Sequence, residues 1–258
     1  MIKYSLIIFA TLVLPFFIVA QVKKKDIVLD STFQLNAERM EVKMGFKTSN
    51  KLWQYRFGDY HLTANQLTAK PTKESSNFLG TKSEFSSKAK FKFELTDKED
   101  HSTKVEGSIQ NEISLQHGLR ISEFVYINAD QLMNTKRNFF ATLNTNDDTA
   151  TWRIIAIEKS DSTWIGLFTN GVRKIDIIRI YQYGDGKSAA FGISSGCELK
   201  ENGVTIGAVQ YFGNRYNNNV VWLLNSMDSK AKCLVAAALT ALMASAHNGQ
   251  ESLETAID

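Results

Sequence analysis

If this chain performs chemistry, few of its residues are placed to do it. The segment GISSG, from Gly192 to Gly196, matches the G-x-S-x-G pattern of a serine nucleophile, and Asp228 and His247 follow in the order an α/β-hydrolase uses. That reaction needs a strand before the serine and a helix directly after it, so that the hydroxyl stands clear of the backbone beside its general base. Here CELKENGVTIGAV follows instead, a hairpin pattern turning at Asn202-Gly203. A secreted serine hydrolase using Ser194 is therefore carried only as an alternative. The reading adopted is a small-residue strand end, and no catalytic residue is assigned.

Glu198 and Glu201 stand close enough in sequence to act as paired carboxylates, but flanking a turn they read as solvated charges. His61, His101, His117 and His247 are scattered, with none of the spacings that hold a metal, so neither a metal site nor a cofactor is expected. Cys197 and Cys233 are the only cysteines; in an oxidising compartment such a pair is a candidate disulfide, and two buried thiols are the other outcome. Tyr211, Phe212, Tyr216 and Trp222 flank an Asn-rich loop, as a partner surface or as core filling.

These residues are positioned by strands. In KAKFKFELTD, Ala89, Phe91, Phe93 and Leu95 point one way and Lys88, Lys90, Lys92 and Glu94 the other, which predicts one buried face and one wet face carrying three lysines. The same alternation runs through Met40, Val42, Met44 and Phe46, through Trp53, Tyr55 and Phe57, and less regularly through Ile109, Ile113 and Leu115. In the second half TWRIIAIEKS, TWIGLF, VRKIDIIRIYQY, AAFGIS, CELKENG, VTIGAVQYFG and NVVWLL read as further strands. Several are separated by Asn170-Gly171, Gly184-Asp185-Gly186 and Asn202-Gly203, whose residues tolerate the positive φ of tight hairpins. The Ser- and Lys-rich stretch from Lys70 to Lys88 reads as a long surface loop. Before Asp228 the only helical signal is a short turn around 128–134.

Two apolar segments interrupt this style. Residues 1–20, MIKYSLIIFATLVLPFFIVA, place Lys3 before an apolar run interrupted by Pro15 and ending in Ala20, which reads as a cleaved secretory leader. Lys23, Lys24 and Lys25 follow and favour the alternative of an uncleaved membrane anchor. The second segment, CLVAAALTALMASA from Cys233 to Ala246, consists of strong helix formers between a cap at Ser226 or Asp228 and a stop at Asn248-Gly249. As a helix its fourteen residues span about 21 Å, short of a hydrocarbon core near 30 Å. Without a polar face it must be enclosed on all sides, and an all-β chain encloses a helix by closing its sheet around it. Net charge is +3, with 30 Lys and Arg against 27 Asp and Glu, too near neutral to draw the protein to nucleic acid.

The order ENGVTIGAVQYFG, NNVVWLLNSMD, SKAKCLVAAALTALMASA, a hairpin strand, a strand and a terminal apolar helix, resembles the tubby C-terminal-like superfamily, which includes the LURP-one-related and phospholipid-scramblase-like proteins. The likeness runs from about Trp152 to Ala246. It implies an antiparallel barrel of about a dozen strands enclosing the helix. Tubby proteins bind phosphoinositides through basic residues on the barrel, so it also implies an anionic-lipid patch at Lys88, Lys90 and Lys92.

The expectation is thus a mainly β chain. Residues 1–20 are a leader, 21–32 a linker and 33–247 one closed antiparallel β-barrel of about twelve strands around a C-terminal hydrophobic helix at about 229–247, with 248–258 a polar tail. A plugged barrel leaves no interior for a small ligand. The expected role is a non-enzymatic binding module outside the cytoplasm, periplasmic or secreted, whose partner is a membrane surface or another envelope protein and not a nucleic acid. The alternatives are the Ser194 hydrolase and a barrel tethered by its N-terminal segment.

Overall fold

A computed structural model describes residues 26–48, 50–76, 82–116, 119–122, 125–127, 131–146, 148–158, 164–188, 194–211 and 218–257. The expected leader, most of the AAFGIS strand, His117, Phe212 and Tyr216 lie outside the described residues.

The elements in order are α1 (Ser31–Asn36), β1 (Ala37–Glu41), β2 (Lys43–Met44), β3 (Tyr55–Phe57), β4 (Tyr60–Ser76), β5 (Lys82–Thr96), β6 (Ser102–Gln116), β7 (Leu119–Ser122), β8 (Val125–Ile127), β9 (Gln131–Thr145), β10 (Trp152–Glu158), β11 (Trp164–Thr169), β12 (Lys174–Ile180), β13 (Gly196–Glu201), β14 (Val204–Gln210), β15 (Val220–Leu224) and α2 (Ser229–Ile257). Thirteen strands form one antiparallel sheet in the order β1-β15-β14-β13-β12-β11-β10-β9-β6-β5-β4-β3-β2, and β7 with β8 makes a separate pair. The sheet curls into a nearly closed barrel. Its two ends are neighbours in the chain: β1 pairs with β15, β2 pairs with β3, and only Val42 separates β1 from β2. The Val42 N–H donates to the Asn219 carbonyl at 2.9 Å and that of Gly45 to the Gln54 carbonyl at 2.8 Å, so one segment joins the two ends of the sheet.

The alternation read from β5 holds. Phe91, Phe93 and Leu95 are buried while Lys88, Lys90 and Lys92 are exposed. The inward side chains of both halves converge in one core with α2, where Ala236, Ala237, Ala238, Leu239, Ala241, Met243 and Ala244 have no exposed surface. The helix is therefore an enclosed core element. Its small side chains let the walls approach, and at Gly207 the wall reciprocates: a Cβ there would stand 2.7 Å from Val235 Cγ1. Gly107 does the same within the wall, lying beneath the ring of Phe91, which stacks on Phe93 and Phe139.

Four local expectations are corrected. The stretch from Lys70 to Lys88 is largely strand, because β4 and β5 stay paired from Lys70↔Lys88 out to Ser76↔Ser83. Lys73, Ser75, Glu84 and Lys88 are exposed along this hairpin, and Pro71, which has no N–H to give a ladder, sits where the register shifts between Lys70 and Lys73. Helix α2 runs through Gly249 to Ile257 instead of stopping after His247, since one glycine costs a helix only about 1 kcal/mol. A helix precedes the barrel: Asp30 caps α1 by accepting from the Phe33 N–H at 3.0 Å, and six residues are too few to show a periodicity. Residues 26–32, placed in the linker by sequence, pack on the outside of the wall, where Ile27, Leu29 and Phe33 meet Ala208, Val220 and Trp222.

Candidate functional site

The structure does not bring the hydrolase residues together. Ser194 is buried, with its hydroxyl 3.0 Å from the Tyr211 hydroxyl. Asp228 caps the start of α2, accepting from the Ala231 N–H at 2.8 Å. His247 lies nineteen residues further along the same helix, about 28 Å away at 1.5 Å per residue. It is fully buried, its Nδ1 is 2.9 Å from the Tyr55 hydroxyl, and burial, with Lys47 adding to it, pushes its pKa down to about 3. A strand, β13, and not a helix follows the serine.

The other candidates separate in the same way. Glu198 accepts from Thr205 Oγ1 at 2.9 Å and pairs with Lys200, while Glu201 is held below the usual carboxylate range by the Arg173 guanidinium at 2.7 and 2.8 Å. Cys197 and Cys233 are buried thiols not joined by a disulfide. Cys197 belongs to β13, whereas Cys233 faces Thr103 Oγ1 and the carbonyls of Leu95 and His101, at β6, β5 and the turn between them, five to six strands away around the sheet. Burial pushes the Cys197 thiol up to about 12, far from a reactive thiolate. His61 is exposed and His101 Nδ1 lies 3.0 Å from Asp97; among the described residues no three metal-type side chains cluster. Tyr211 is inside the barrel and Trp222 is covered outside it by Ile27 and Phe33, so these aromatics do not share a surface.

Among the described candidates, the lysine row opens onto a groove. Lys90 and Lys92 line a groove of about 600 Å³ on the outer wall, together with Glu106, Phe140, Arg153 and Ile155; Lys88 continues the same face just beyond it. Register builds the groove as two adjacent rows. Thr68, Lys90, Ser108, Phe140, Ile155 and Leu167 follow one another across six strands, and Gln66, Lys92, Glu106, Thr142 and Arg153 run beside them. The inward residues beneath, Gly107 and Ala141, are small. Lys92 pairs with Glu106 at 2.7 Å in full solvent, a contact of little energetic weight, while among the described residues Lys90 and Arg153 have no carboxylate partner. Phe140 is 45% exposed and Ile165, opposite Ile157, is 44% exposed, so apolar surface extends along the wall from the basic rim. Sequence reasoning found the lysines but missed this floor. The signal was present in Ile154-Ile155-Ala156-Ile157, where apolar residues fall on both faces of one strand.

A second polar group lies on the inner face. Extending the inward alternation of each strand by one step brings Asn111, Arg137, Glu158 and Arg179 into the barrel. Arg137 is registered opposite both Asn111 and Glu158. The Arg179 terminal nitrogens donate to the two carboxylate oxygens of Glu158 at 2.9 and 2.8 Å, and its guanidinium stacks on Trp164, 3.7 Å from the ring centroid. Trp164 Nε1 donates to the Ile177 carbonyl at 2.9 Å, bridging β11 and β12 where their ladder stops at Leu167↔Asp176. Gly166 makes room for the indole.

A closed antiparallel barrel filled by its own C-terminal helix, with a basic and apolar groove outside, is the class that fold and site define. No protein-family model, curated protein or solved structure matches the chain.

Proposed function

We propose that this is a non-enzymatic, exported binding module that takes an anionic lipid in its outer groove. The observation that carries this reading is where space is left. The barrel interior is occupied by α2, whereas the wall outside holds an open groove with cations at its rim and apolar side chains along its floor. Such a surface suits an amphiphile whose anionic head meets Lys90 and Arg153 while its chains lie over Phe140 and Ile155. Polar contacts fix orientation and the apolar area supplies affinity. The resemblance to tubby-like barrels supports the same class of ligand, and the leader pattern at residues 1–20 supports export.

Vesicle flotation tests the reading. The protein should float with phosphatidylglycerol vesicles and not with phosphatidylcholine vesicles, and salt should weaken the association because the cations are exposed. The combined change Lys88→Glu, Lys90→Glu and Lys92→Glu reverses the rim and should reduce flotation at least tenfold. Flotation unchanged by it would contradict the proposal. Intact mass of the exported protein, beginning at Gln21 or at Met1, separates a cleaved leader from an anchor.

A further inference from the structure

We infer that the outer groove continues into a track for one hydrocarbon tail, so that a single-chain anionic amphiphile fills the site on its own; this rests on the groove being the anionic-lipid site proposed above. Two neighbouring outward rows of the wall carry the same succession of chemistry. The first runs Lys90, Ser108, Phe140, Ile155, Leu167, Asp176 from β5 to β12. The second begins at Lys88, is apolar at Ile157, Ile165 and Ile178, and meets Glu198 on β13; Ile165 and Ile178 stand opposite each other two residues beyond the last β11–β12 pair. Each row passes from base through hydrocarbon to acid. An anionic head is drawn to the β5 end and turned away from the carboxylates at β12 and β13, which gives a bound amphiphile one direction.

Width and length select the tail. Successive outward residues of a strand stand about 7 Å apart, so the two rows leave one valley between them, wide enough for one tail and not for a pair. On one side the next row is Thr142, Arg153 and Thr169, and on the other Ile180 is packed under the segment carrying Ile27 and Phe33. From Phe140 to Ile178 the track crosses three strand spacings and steps over one row, about 16 Å or roughly a dozen methylenes. Phe140, Ile165 and Ile178 are exposed while Ile155, Ile157 and Leu167 are half-buried, so a tail laid there removes apolar surface from water. A two-tailed lipid engages the track with one tail and keeps the other in its bilayer.

Calorimetric titration of the protein with sodium octanoate, decanoate, dodecanoate and tetradecanoate, each kept monomeric, tests the inference. Full burial of a methylene strengthens binding about fourfold, and one lying in an open valley gains about half that free energy. Affinity should therefore rise about twofold per methylene as far as dodecanoate, and by less than about twofold in all from there to tetradecanoate. Dodecyl maltoside, with the same tail and no charge, should bind at least tenfold more weakly than dodecanoate. Ile165→Ser with Ile178→Ser, both on the outside of the wall, should weaken dodecanoate about fivefold and leave octanoate within about twofold, because the shorter tail stops before them. Arg153→Gln should weaken every chain length by the same factor. Affinity independent of chain length, still climbing at the same rate to tetradecanoate, equalled by the maltoside or untouched by the serine pair would overturn the track. So would a wild-type dimer that the serine pair converts to monomer in gel filtration, since a second copy would then cover this wall. Flotation on phosphatidylglycerol vesicles without binding of any monomeric carboxylate would remove the track and leave the groove a bilayer-docking surface, whereas loss of both removes the reading of the groove as well.

Discussion

At the residue scale, the most consequential side chain is one the sequence offered for catalysis. His247 has its folded pKa depressed to about 3, against an unfolded value near 6.5, so between these limits the unfolded chain binds more protons. Stability contributed by the neutral ring is complete above pH 6.5 and is lost as pH falls, at up to about 1.4 kcal/mol per unit. Urea unfolding between pH 7 and pH 4.5 should show this slope, and His247→Gln should flatten it; an unchanged slope in the variant would assign the acid lability elsewhere. Gly107 makes a steric prediction. Its missing Cβ is the space Phe91 occupies, so Gly107→Val should cost about 1–3 kcal/mol by overpacking, read as a shift in the urea midpoint. Neither role was legible beforehand, because both depend on which strand a residue meets and not on its neighbours in sequence.

At the element scale, α2 was the most legible part of the chain. An apolar segment too short for a bilayer and lacking a polar face has few places to go, and enclosure by a sheet follows from those two facts. Ala238 has no exposed surface, so Ala238→Asp buries a charge without a partner at a cost of several kcal/mol, comparable to the net stability of a domain. We expect no soluble folded protein, by far-UV circular dichroism and gel filtration. The β5 lysine row was equally readable, since period two is local. The extended β4–β5 hairpin was not, because a strand carrying polar residues looks like a loop until its partner is known. The groove was half legible for the same reason: one strand showed Lys90 and Lys92, but Phe140, Arg153 and Ile155 join them only through the register of three further strands.

At the scale of the whole molecule, closure depends on residues 37–44, which pair with β15 through their first half and with β3 through their second. Val42 joins the halves, and Val42→Pro removes its hydrogen bond to Asn219 at that junction. Destabilisation by about 3 kcal/mol is expected in chemical unfolding, with both transitions, of sheet and of helix, moving together. Among the described residues the interior is taken up by α2, while the groove lined by Lys90 and Lys92 lies on the outer wall. The central claim is therefore the enclosure of α2, and hydrogen exchange read by mass spectrometry tests it most directly. Amides from Cys233 to His247 should exchange as slowly as the most protected strands. Exchange there as fast as at the exposed Asn202–Gly203 turn would contradict the account.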